Sequence, residues 1–216
     1  DCMELVEEII RNAAKKIGDL KIKWGDYDID LSKKFDKKSF FQLIEEATGT
    51  DFSKLSNNEM LEVCELHNVE VDKNSNTGQI LDSIMSVLVE PKLINPTFVI
   101  DYPKYISPLA KLKRDGSEEI VERFELFIGG SEFANSFSEL NDPIDQRSRL
   151  EEQSKLRDQG DDEAQPIDED FINAMEIGMP PTGGVGIGID RLVMLLTNNR
   201  WIRDVILFPT MKPEKN

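Results

Sequence analysis

Glycine recurs at every second position of one short stretch near the end of the chain, and this spacing restricts how the stretch can fold. The stretch reads Gly184-Val185-Gly186-Ile187-Gly188. Because successive side chains of a strand point to opposite faces, a strand here would carry bare backbone on one face and branched apolar side chains on the other. Glycine weakens a strand, so such a run indicates the close approach of a ligand or of another backbone. Tight packing of a helix on the sheet explains the glycines equally well.

The residues after the glycines predict a helix with an arginine in its first turn. Leu192, Leu195 and Leu196 recur at helical spacing, which assigns Arg191 to that turn. No Lys-Ser/Thr pair comes after the glycines and their period is two, so the stretch fits neither a dinucleotide-binding fingerprint nor a P-loop. A guanidinium here can lie flat on an aromatic ring system or fork onto phosphate oxygens, which indicates a nucleotide. A surface arginine in a salt bridge is the alternative.

A second group of candidate residues lies on a predicted β-hairpin whose strands, 121–128 and 132–140, are joined at Gly129-Gly130. If the two glycines form the turn, Phe127 pairs with Glu132 and Glu125 pairs with Ala134, which makes the two glutamates diagonal neighbours on one face. Carboxylate oxygens suit Mg²⁺, which takes one or two carboxylates and completes its shell with waters and phosphates. Two exposed glutamates on a solvated sheet face are the alternative.

Three further residues of the second strand, Asn135, Phe137 and Glu139, share a face by the same alternation but have the opposite parity to Glu132. For all of them to line one pocket, the strand needs a β-bulge or twist near Phe133-Ala134, and we predict one there. An amide, an aromatic wall and a carboxylate would then converge. A buried carboxylate needs a cation, so the fitting guest is a small molecule with an ammonium group. An ordinary solvated hairpin face is equally compatible with these residues.

Charge and composition exclude several functional classes. The 216 residues include 26 Lys and Arg against 42 Asp and Glu, a formal charge of −16, so no broad basic footprint for non-specific nucleic-acid binding is present. Two cysteines without a CxxC motif and a single histidine exclude cysteine-rich zinc sites and a disulfide framework. That histidine, His67, lies in an acidic helical pattern and is interpreted as a surface residue. No apolar run of about 18 residues occurs, which favours a soluble, cytoplasmic protein.

The remaining patterns predict an α+β fold, with an antiparallel sheet flanked by helices. Residues 51–94, rich in Asn, Ser and Glu, are interpreted as a small helical insertion into a main body formed by residues 1–50 and 95–216. Helices are predicted at 3–17, 39–47, 58–67, 77–89, 142–159, 168–177 and 190–197, and further strands at 27–31, 97–100, 184–188 and 205–208.

Taken together, these motifs resemble those of the class II aminoacyl-tRNA synthetases. The stretch from Gly184 to Leu192 is similar to the third signature motif of that class, and Ile202 to Pro209 resembles the segment after that motif in the subclass of the lysine, aspartate and asparagine enzymes. The stretch from Arg123 to Asp142 is close to lysyl-tRNA synthetases in particular. The resemblance is good from Asn95 to Pro213 and extends to residues 1–41.

The resemblance implies a role for each candidate residue. Glu125 and Glu132 would hold the Mg²⁺ ions that bridge the phosphates of ATP, and Arg191 would lie on the adenine and reach the γ-phosphate. Gly184, Gly186 and Gly188 would form the pocket floor, with Gly184 and Gly188 beside ATP and Gly186 nearest the amino acid. The lysine pocket would be lined by Asn135, Phe137 and Glu139, with Glu139 facing the ε-ammonium group. The implied partners are lysine, ATP and tRNA(Lys), with a homodimer for the full-length protein.

The sequence also departs from that class. No counterpart of its first motif, which serves the dimer interface, or of its second motif, whose arginine holds the α-phosphate, is found, and no anticodon-binding OB-fold is present. The chain is therefore expected to be the C-terminal half of a catalytic domain, and on its own to adenylate lysine poorly or not at all. Two alternatives stay open: a synthetase-like enzyme that transfers lysine to a protein such as elongation factor P, and a non-catalytic interaction module.

Overall fold

The computed structural model describes residues 1–158, 160–161 and 164–210 of the 216-residue chain. The predicted end of the long charged helix at residue 159 and the segment 211–216 lie outside the described residues. The elements, in chain order, are α1 Cys2–Ile17, β1 Lys21–Trp24, β2 Tyr27–Asp30, β3 Asp36–Ser39, α2 Phe40–Thr48, α3 Asn57–Leu66, α4 Thr77–Ile84, β4 Thr97–Ile100, β5 Arg123–Ile128, β6 Ser131–Ser138, α5 Pro143–Asp158, α6 Glu169–Ile177, β7 Gly183–Ile187 and α7 Ile189–Thr197.

A five-stranded sheet in the order β3-β4-β5-β6-β7 forms the centre of the protein. Strands β3 and β4 pair in parallel, and the other neighbours pair antiparallel. A separate antiparallel ribbon is formed by β1 and β2. Helices flank this mostly antiparallel sheet, which confirms the predicted α+β class.

The turn between β5 and β6 is the predicted two-glycine hairpin. Gly129 and Gly130 both have positive φ, 58° and 76°, which is the backbone conformation that a tight hairpin turn requires. A β-carbon on Gly129 would overlap the indole of Trp24, whose Nε1 donates a hydrogen bond to the Gly129 carbonyl. Glycine at this position therefore supplies both the turn and the room for the indole.

One face of the sheet is covered by α2 and by the helices of residues 51–94. Side chains from the sheet, such as Val99 and Phe127, share one apolar core with Phe52, Ile80 and Ile84. Burying each of these side chains stabilises the fold by about 1.5–3 kcal/mol. The helical content predicted for residues 51–94 is confirmed, and whether they form a separate insertion stays a prediction.

The short helices of this layer begin at well-defined capping sites. In α3, Ser56 and Glu59 form a capping box, and in α4, Asn76 and Gln79 form a second one. Each box satisfies backbone N–H groups that a helix leaves unpaired in its first turn. The polar residues that distinguish residues 51–94 in composition thus define where these helices begin.

The opposite face of the sheet is covered by α1 and α7. The apolar stripe of α1, including Val6 and Ile10, packs with Leu195 of α7 and with Leu126 and Phe133 of the sheet. This packing results from the helical spacing of apolar residues in the sequences of α1 and α7. None of the described helices is long and apolar enough to cross a membrane.

One predicted strand is absent from the structure, and two observed strands were not predicted. The predicted strand 205–208 is wrong: a short 3-10 turn at Ile202–Asp204 leads into irregular chain, and Leu207 and Phe208 are 88% and 91% exposed. A strand needs a partner for its backbone groups, and no segment within the described residues pairs with this one. Strands β1 and β3 were not predicted: β1 alternates polar and apolar residues but is only four residues long, and β3 contains no apolar residue.

Candidate active site

The ladder between β5 and β6 contains a bulge. Phe127 pairs with Glu132, whereas the preceding residue Leu126 pairs with Ala134, so Phe133 is an extra residue on β6. An extra residue reverses the alternation of side chains beyond it. The bulge predicted near Phe133-Ala134 is therefore confirmed.

The bulge brings the two sets of candidate residues to the same face of the sheet. Beyond it, Asn135 pairs with Glu125 and Phe137 pairs with Arg123, so each of these residues shares a face with its partner. The predicted pairing of Glu125 with Ala134 is wrong, because that pairing assumed no extra residue. We call this surface the site face, and it carries the side chains of Arg123, Glu125, Glu132, Asn135, Phe137 and Glu139.

Strand β7 continues the site face with bare backbone. Gly186 pairs with Asn135 and Gly184 pairs with Phe137. A β-carbon on Gly184 would overlap the carboxylate of Glu139, whereas a β-carbon on Gly186 would come no closer than 3.8 Å to the nearest atom. Gly184 is therefore required for Glu139 to lie across β7, and Gly186 leaves open space above the strand.

The third glycine of the run has a different role from the one that the alternation predicted. Strand β7 ends at Ile187, and Gly188 is the N-terminal capping residue of α7. A β-carbon on Gly188 would contact the side chain of Arg191 at an ordinary 3.5 Å. The expectation that all three glycines lie on one strand face is therefore wrong for Gly188, because the chain has already turned into the helix.

Arg191 lies in the first turn of α7, as predicted, and reaches the site face at Glu132. Its Nη1 atom donates a 2.6 Å hydrogen bond to the backbone carbonyl of Glu132 and lies 3.5 Å from the carboxylate oxygen Oε2. The side chains are 50% and 39% exposed, so this ion pair contributes little to stability. Both groups are accessible to a ligand.

Glu125 is held by two residues that the sequence interpretation did not identify. Its Oε2 atom accepts a 2.8 Å hydrogen bond from the hydroxyl of Tyr102, and its Oε1 atom accepts one from Arg123. The Arg123 guanidinium also lies 4.6 Å from the centre of the Tyr102 ring. The sequence did contain a signal for Arg123, since a spacing of two on one strand puts it on the same face as Glu125.

Glu90 is a further carboxyl group near the site face, and it has an unusual pKa. Burial, followed by the negative charges of Glu125, Asp82 and Glu132, raises the pKa of Glu90 to about 7, against a smaller lowering by Arg191. The pKa of Glu90 therefore depends on the charges of both predicted magnesium-binding residues, Glu125 and Glu132. No sequence signal identifies it, because Glu90 lies in a short 3-10 turn outside the hairpin, with its backbone near Gly130.

Glu139 lies at the end of β6, where its backbone N–H donates a 2.9 Å hydrogen bond to the Thr182 carbonyl. Burial raises the pKa of the Glu139 carboxyl group. In the part of the chain that the structure describes, this carboxylate has no ion pair. A cationic guest would remove this cost of burial.

Two cavities adjoin residues of the site face, and the larger one extends to Cys2, Met3 and Phe124 of the core on the opposite side of the sheet. Glu90, Tyr102 and Glu125 line a cavity of about 590 Å³, and Phe137 and Glu139 line one of about 750 Å³. Arg123 lines both. The expectation that these acidic side chains and Arg191 close around a single cavity is therefore not met: Glu125 and Glu139 line different cavities, and neither of the two cavities is lined by Glu132 or Arg191.

The donor set suits a magnesium ion that also binds phosphate. Over residues 1–158, 160–161 and 164–210, no three His, Cys, Asp or Glu side chains are grouped so that they hold a metal by themselves. Mg²⁺ commonly takes only one or two carboxylates, with waters and phosphate oxygens completing its shell. Glu125 and Glu132, both on the site face, fit that pattern of ligands.

Comparison with known proteins identifies the family of the chain. The profile of the family described as tRNA synthetases class II (D, K and N) matches residues 1–212. The chain is 52% identical over 99% of its length to a lysine–tRNA ligase of Prochlorococcus marinus, and 50% identical over 99% and 98% to those of Leuconostoc mesenteroides and Listeria innocua. It spans 42–43% of the length of these curated relatives. The chain therefore belongs to the class II tRNA synthetase family of the aspartate, lysine and asparagine enzymes.

Proposed function

We propose that this chain carries part of the active site of a lysine–tRNA ligase, which activates lysine with ATP and transfers it to tRNA(Lys). The observation that carries the proposal is the site face, on which a β-bulge aligns two candidate magnesium ligands with the candidate lysine-binding residues. The relatives' names support lysine as the amino acid and tRNA as the acceptor. Those names favour a tRNA ligase over a lysyltransferase that acts on a protein.

In this proposal the lysine side chain is recognised at the end of β6. The carboxylate of Glu139 faces the ε-ammonium group, and the cation compensates for the burial that raises the pKa of Glu139. The ring of Phe137 contacts the methylene groups of the bound lysine, and the Asn135 amide forms a hydrogen bond with a polar group of the same lysine. Gly186 leaves the space above β7 that the ligand fills.

ATP is bound at the other end of the same face. The planar guanidinium of Arg191 stacks on the adenine and reaches the γ-phosphate, a combination for which a lysine ammonium lacks the geometry. Gly188 keeps a side chain away from the nucleotide, whereas Gly184 lies against the Glu139 carboxylate and is assigned in this proposal to the lysine end of the site. Glu125 and Glu132 hold Mg²⁺, which, when bound, neutralises charge on the phosphates as the α-phosphate reacts.

The reaction needs positioning and charge stabilisation more than proton transfer. A carboxylate oxygen of lysine bonds to the α-phosphorus, the bond from that phosphorus to the bridging oxygen breaks, and pyrophosphate leaves. The attacking carboxylate carries no proton to remove, so the chain's single histidine is not required. Residues of the site face align the two substrates, which accounts for most of the rate enhancement expected of such a site.

The remaining parts of the proposal concern partners and organisation. With a net charge of −16, this chain contributes little to the attraction of tRNA, so most tRNA contacts belong to other parts of the full-length protein. A homodimer and a cytoplasmic location are proposed for that protein. Residues 51–94 are proposed to be a helical insertion in a catalytic domain formed by residues 1–50 and 95–216.

The proposal is tested with a full-length synthetase that carries this chain as its C-terminal part. We expect lysine-dependent exchange of pyrophosphate into ATP, with arginine unable to replace lysine. Transfer of labelled lysine to tRNA, and not to elongation factor P, distinguishes the tRNA ligase from the protein lysyltransferase. Absence of lysine-dependent exchange would contradict the proposed activity, and transfer to the protein alone would contradict the proposed acceptor.

A further inference from the structure

Arg123 is a nearly buried arginine whose guanidinium is fixed from several sides. Its side chain is 16% exposed, and its Nη1 atom donates 2.9 Å hydrogen bonds to the Ile106 carbonyl and to the Ser107 hydroxyl. The guanidinium also stacks near the Tyr102 ring, with 4.6 Å between its carbon atom and the ring centre. These contacts fix the plane of the guanidinium and leave two of its nitrogen atoms for the site face.

Those two nitrogen atoms bind residues to which different substrates are assigned. Nη2 donates to the carboxylate of Glu125, and Nε donates a 3.3 Å hydrogen bond to the side-chain carbonyl of Asn135. Glu125 and Asn135 are also direct cross-strand partners. One rigid side chain thus sets the orientation of a proposed magnesium ligand and of a proposed lysine-binding amide.

We propose that Arg123 is a positioning residue that couples the magnesium–ATP part of the site to the lysine pocket. The inference rests on the proposed function. Arg123 contacts neither substrate in this account and acts through the two side chains that it orients. Its position fits this role, since its side chain lines both the cavity beside Glu125 and the cavity beside Glu139.

The chemistry of the side chain makes the proposal specific to arginine. A guanidinium presents five N–H donors in a fixed plane, so it binds a carboxylate and an amide carbonyl at the same time. A lysine ammonium is a single mobile point charge, which pairs with the nearby carboxylate and does not reach both partners with the same geometry. Arg123→Lys should therefore retain the contact with Glu125 and lose the contact with Asn135.

The test uses a full-length synthetase that carries this chain and measures lysine-dependent pyrophosphate exchange. In Arg123→Met, which removes every donor, we expect the KM for lysine and the Mg²⁺ concentration for half-maximal exchange each to rise about tenfold, as for the loss of charge-assisted hydrogen bonds. In Arg123→Lys, we expect the Mg²⁺ requirement to return to within about twofold of the parent, while the KM for lysine stays about tenfold higher.

A matched control separates this role from a general loss of stability. Arg147 makes a similar two-point contact with a carboxylate, at 2.8 and 2.9 Å to Glu169, on the exposed side of α5. Arg147→Met should leave the KM for lysine and the Mg²⁺ requirement unchanged. A merely structural role for Arg123 would lower the unfolding temperature and kcat without separating the two requirements in Arg123→Lys.

The outcomes are distinguishable from failure of the proposed function. If the unsubstituted protein shows no lysine-dependent exchange, the proposed function is contradicted first. If exchange is present and Arg123→Met leaves both requirements unchanged, the positioning role is overturned. It is also overturned if Arg123→Lys restores the KM for lysine to the parental value or fails to restore the Mg²⁺ requirement. Should Arg123→Met fail to fold, the Arg123→Lys result alone decides.

Discussion

Asn135 of β6 lies directly opposite Glu125 of β5 and, on its other side, directly opposite Gly186 of β7. This alignment depends on the extra residue Phe133, without which Asn135 would point to the other face of the sheet. An amide is therefore held between a carboxylate and an open strip of backbone. Substitutions on the site face should consequently affect lysine, ATP or Mg²⁺ according to which of these neighbours they disturb.

Replacing Glu139 with Gln tests the recognition of lysine. The substitution keeps the shape of the side chain and removes the charge that is proposed to face the ε-ammonium group, so we expect lysine affinity to fall roughly 10- to 100-fold, as for the loss of a hydrogen bond between charged groups. The affinity for ATP should stay within about twofold, because ATP interacts with other residues. Calorimetric titration of the full-length protein with each ligand measures both values.

The matched control for that substitution is Glu169→Gln. Glu169, on α6, is an exposed carboxylate that pairs with Arg147 of α5 and lies on a different part of the surface from the site face. The affinities for lysine and for ATP should both be unchanged in Glu169→Gln. Normal lysine binding by Glu139→Gln would show that Glu139 does not contact the ammonium group.

The parts of this structure that carry their own local signal could be predicted from the sequence. The apolar spacing of α1 and α7 and the Gly129-Gly130 turn are such signals, and even the bulge can be derived by asking that two sets of polar residues share a pocket. By contrast, β3 reads Asp36-Lys37-Lys38-Ser39 and is a strand only because its backbone pairs with β4, about 60 positions along the chain.

The same distinction explains the residues of the site that were missed. Glu125 and Glu132 belong to an alternating pattern within one hairpin, so their common face can be derived from sequence positions alone. Glu90 and Tyr102 come from segments outside that hairpin and reach the site by packing. The failed strand at 205–208 has the same cause, since apolar content is typical of a strand and says nothing about whether a partner strand is present.

Replacing Gly184 with Ala tests whether bare backbone is needed beside Glu139. The added β-carbon would overlap the Glu139 carboxylate, so that side chain must move away from its position across β7. Because the far end of a glutamate is flexible, the fold should tolerate the change, with an unfolding temperature within about 4 °C of the parent. Lysine affinity should fall about tenfold for a displaced charged partner. Unchanged lysine affinity would mean that Glu139 is not held in place by Gly184.

Replacing Arg191 with Lys tests the role of the planar guanidinium. The positive charge beside Glu132 is retained, while the proposed stacking on the adenine and the proposed two-point contact with phosphate oxygens are lost. The KM for ATP in pyrophosphate exchange should rise about tenfold, with the KM for lysine changed less than about twofold. A normal KM for ATP would show that only the charge of Arg191 matters.

The raised pKa of Glu90 makes stability depend on pH in a defined direction. The native protein binds this proton more tightly than the unfolded chain does, since the pKa rises from the ordinary value of 4.5 to about 7. The contribution of this bound proton to the free energy of unfolding is therefore complete below about pH 4.5 and is lost as the pH rises through about 7. At higher pH the ionised group destabilises the fold by roughly 1–2 kcal/mol, after allowance for solvent exposure.

The variant Glu90→Gln, which stays neutral, measures this contribution. Without Mg²⁺, its unfolding temperature should match the parent near pH 4.5 and exceed it by about 2–4 °C at pH 8. Glu46→Gln supplies the comparison, because a hydrogen bond from Lys38 lowers the pKa of that exposed carboxyl group. An equal difference between Glu90→Gln and the parent at every pH would contradict the assigned pKa.

The helices of residues 51–94 share one apolar core with the sheet, so a defect in them should weaken the sheet as well. Ile84 is fully buried in that core, and Ile84→Ala should reduce the free energy of unfolding by about 2–5 kcal/mol. Trp24 lies in the core on the opposite face and is 4% exposed, so in a Trp201→Phe background its fluorescence reports on the sheet. The Trp24 transition should shift to lower denaturant together with the loss of helical circular dichroism.

The control variant Ile177→Ala, at a side chain that is 91% exposed, should change the free energy of unfolding by less than about 0.5 kcal/mol. If residues 51–94 fold as an independent unit, Ile84→Ala will instead produce an early helical transition while the Trp24 transition stays in place.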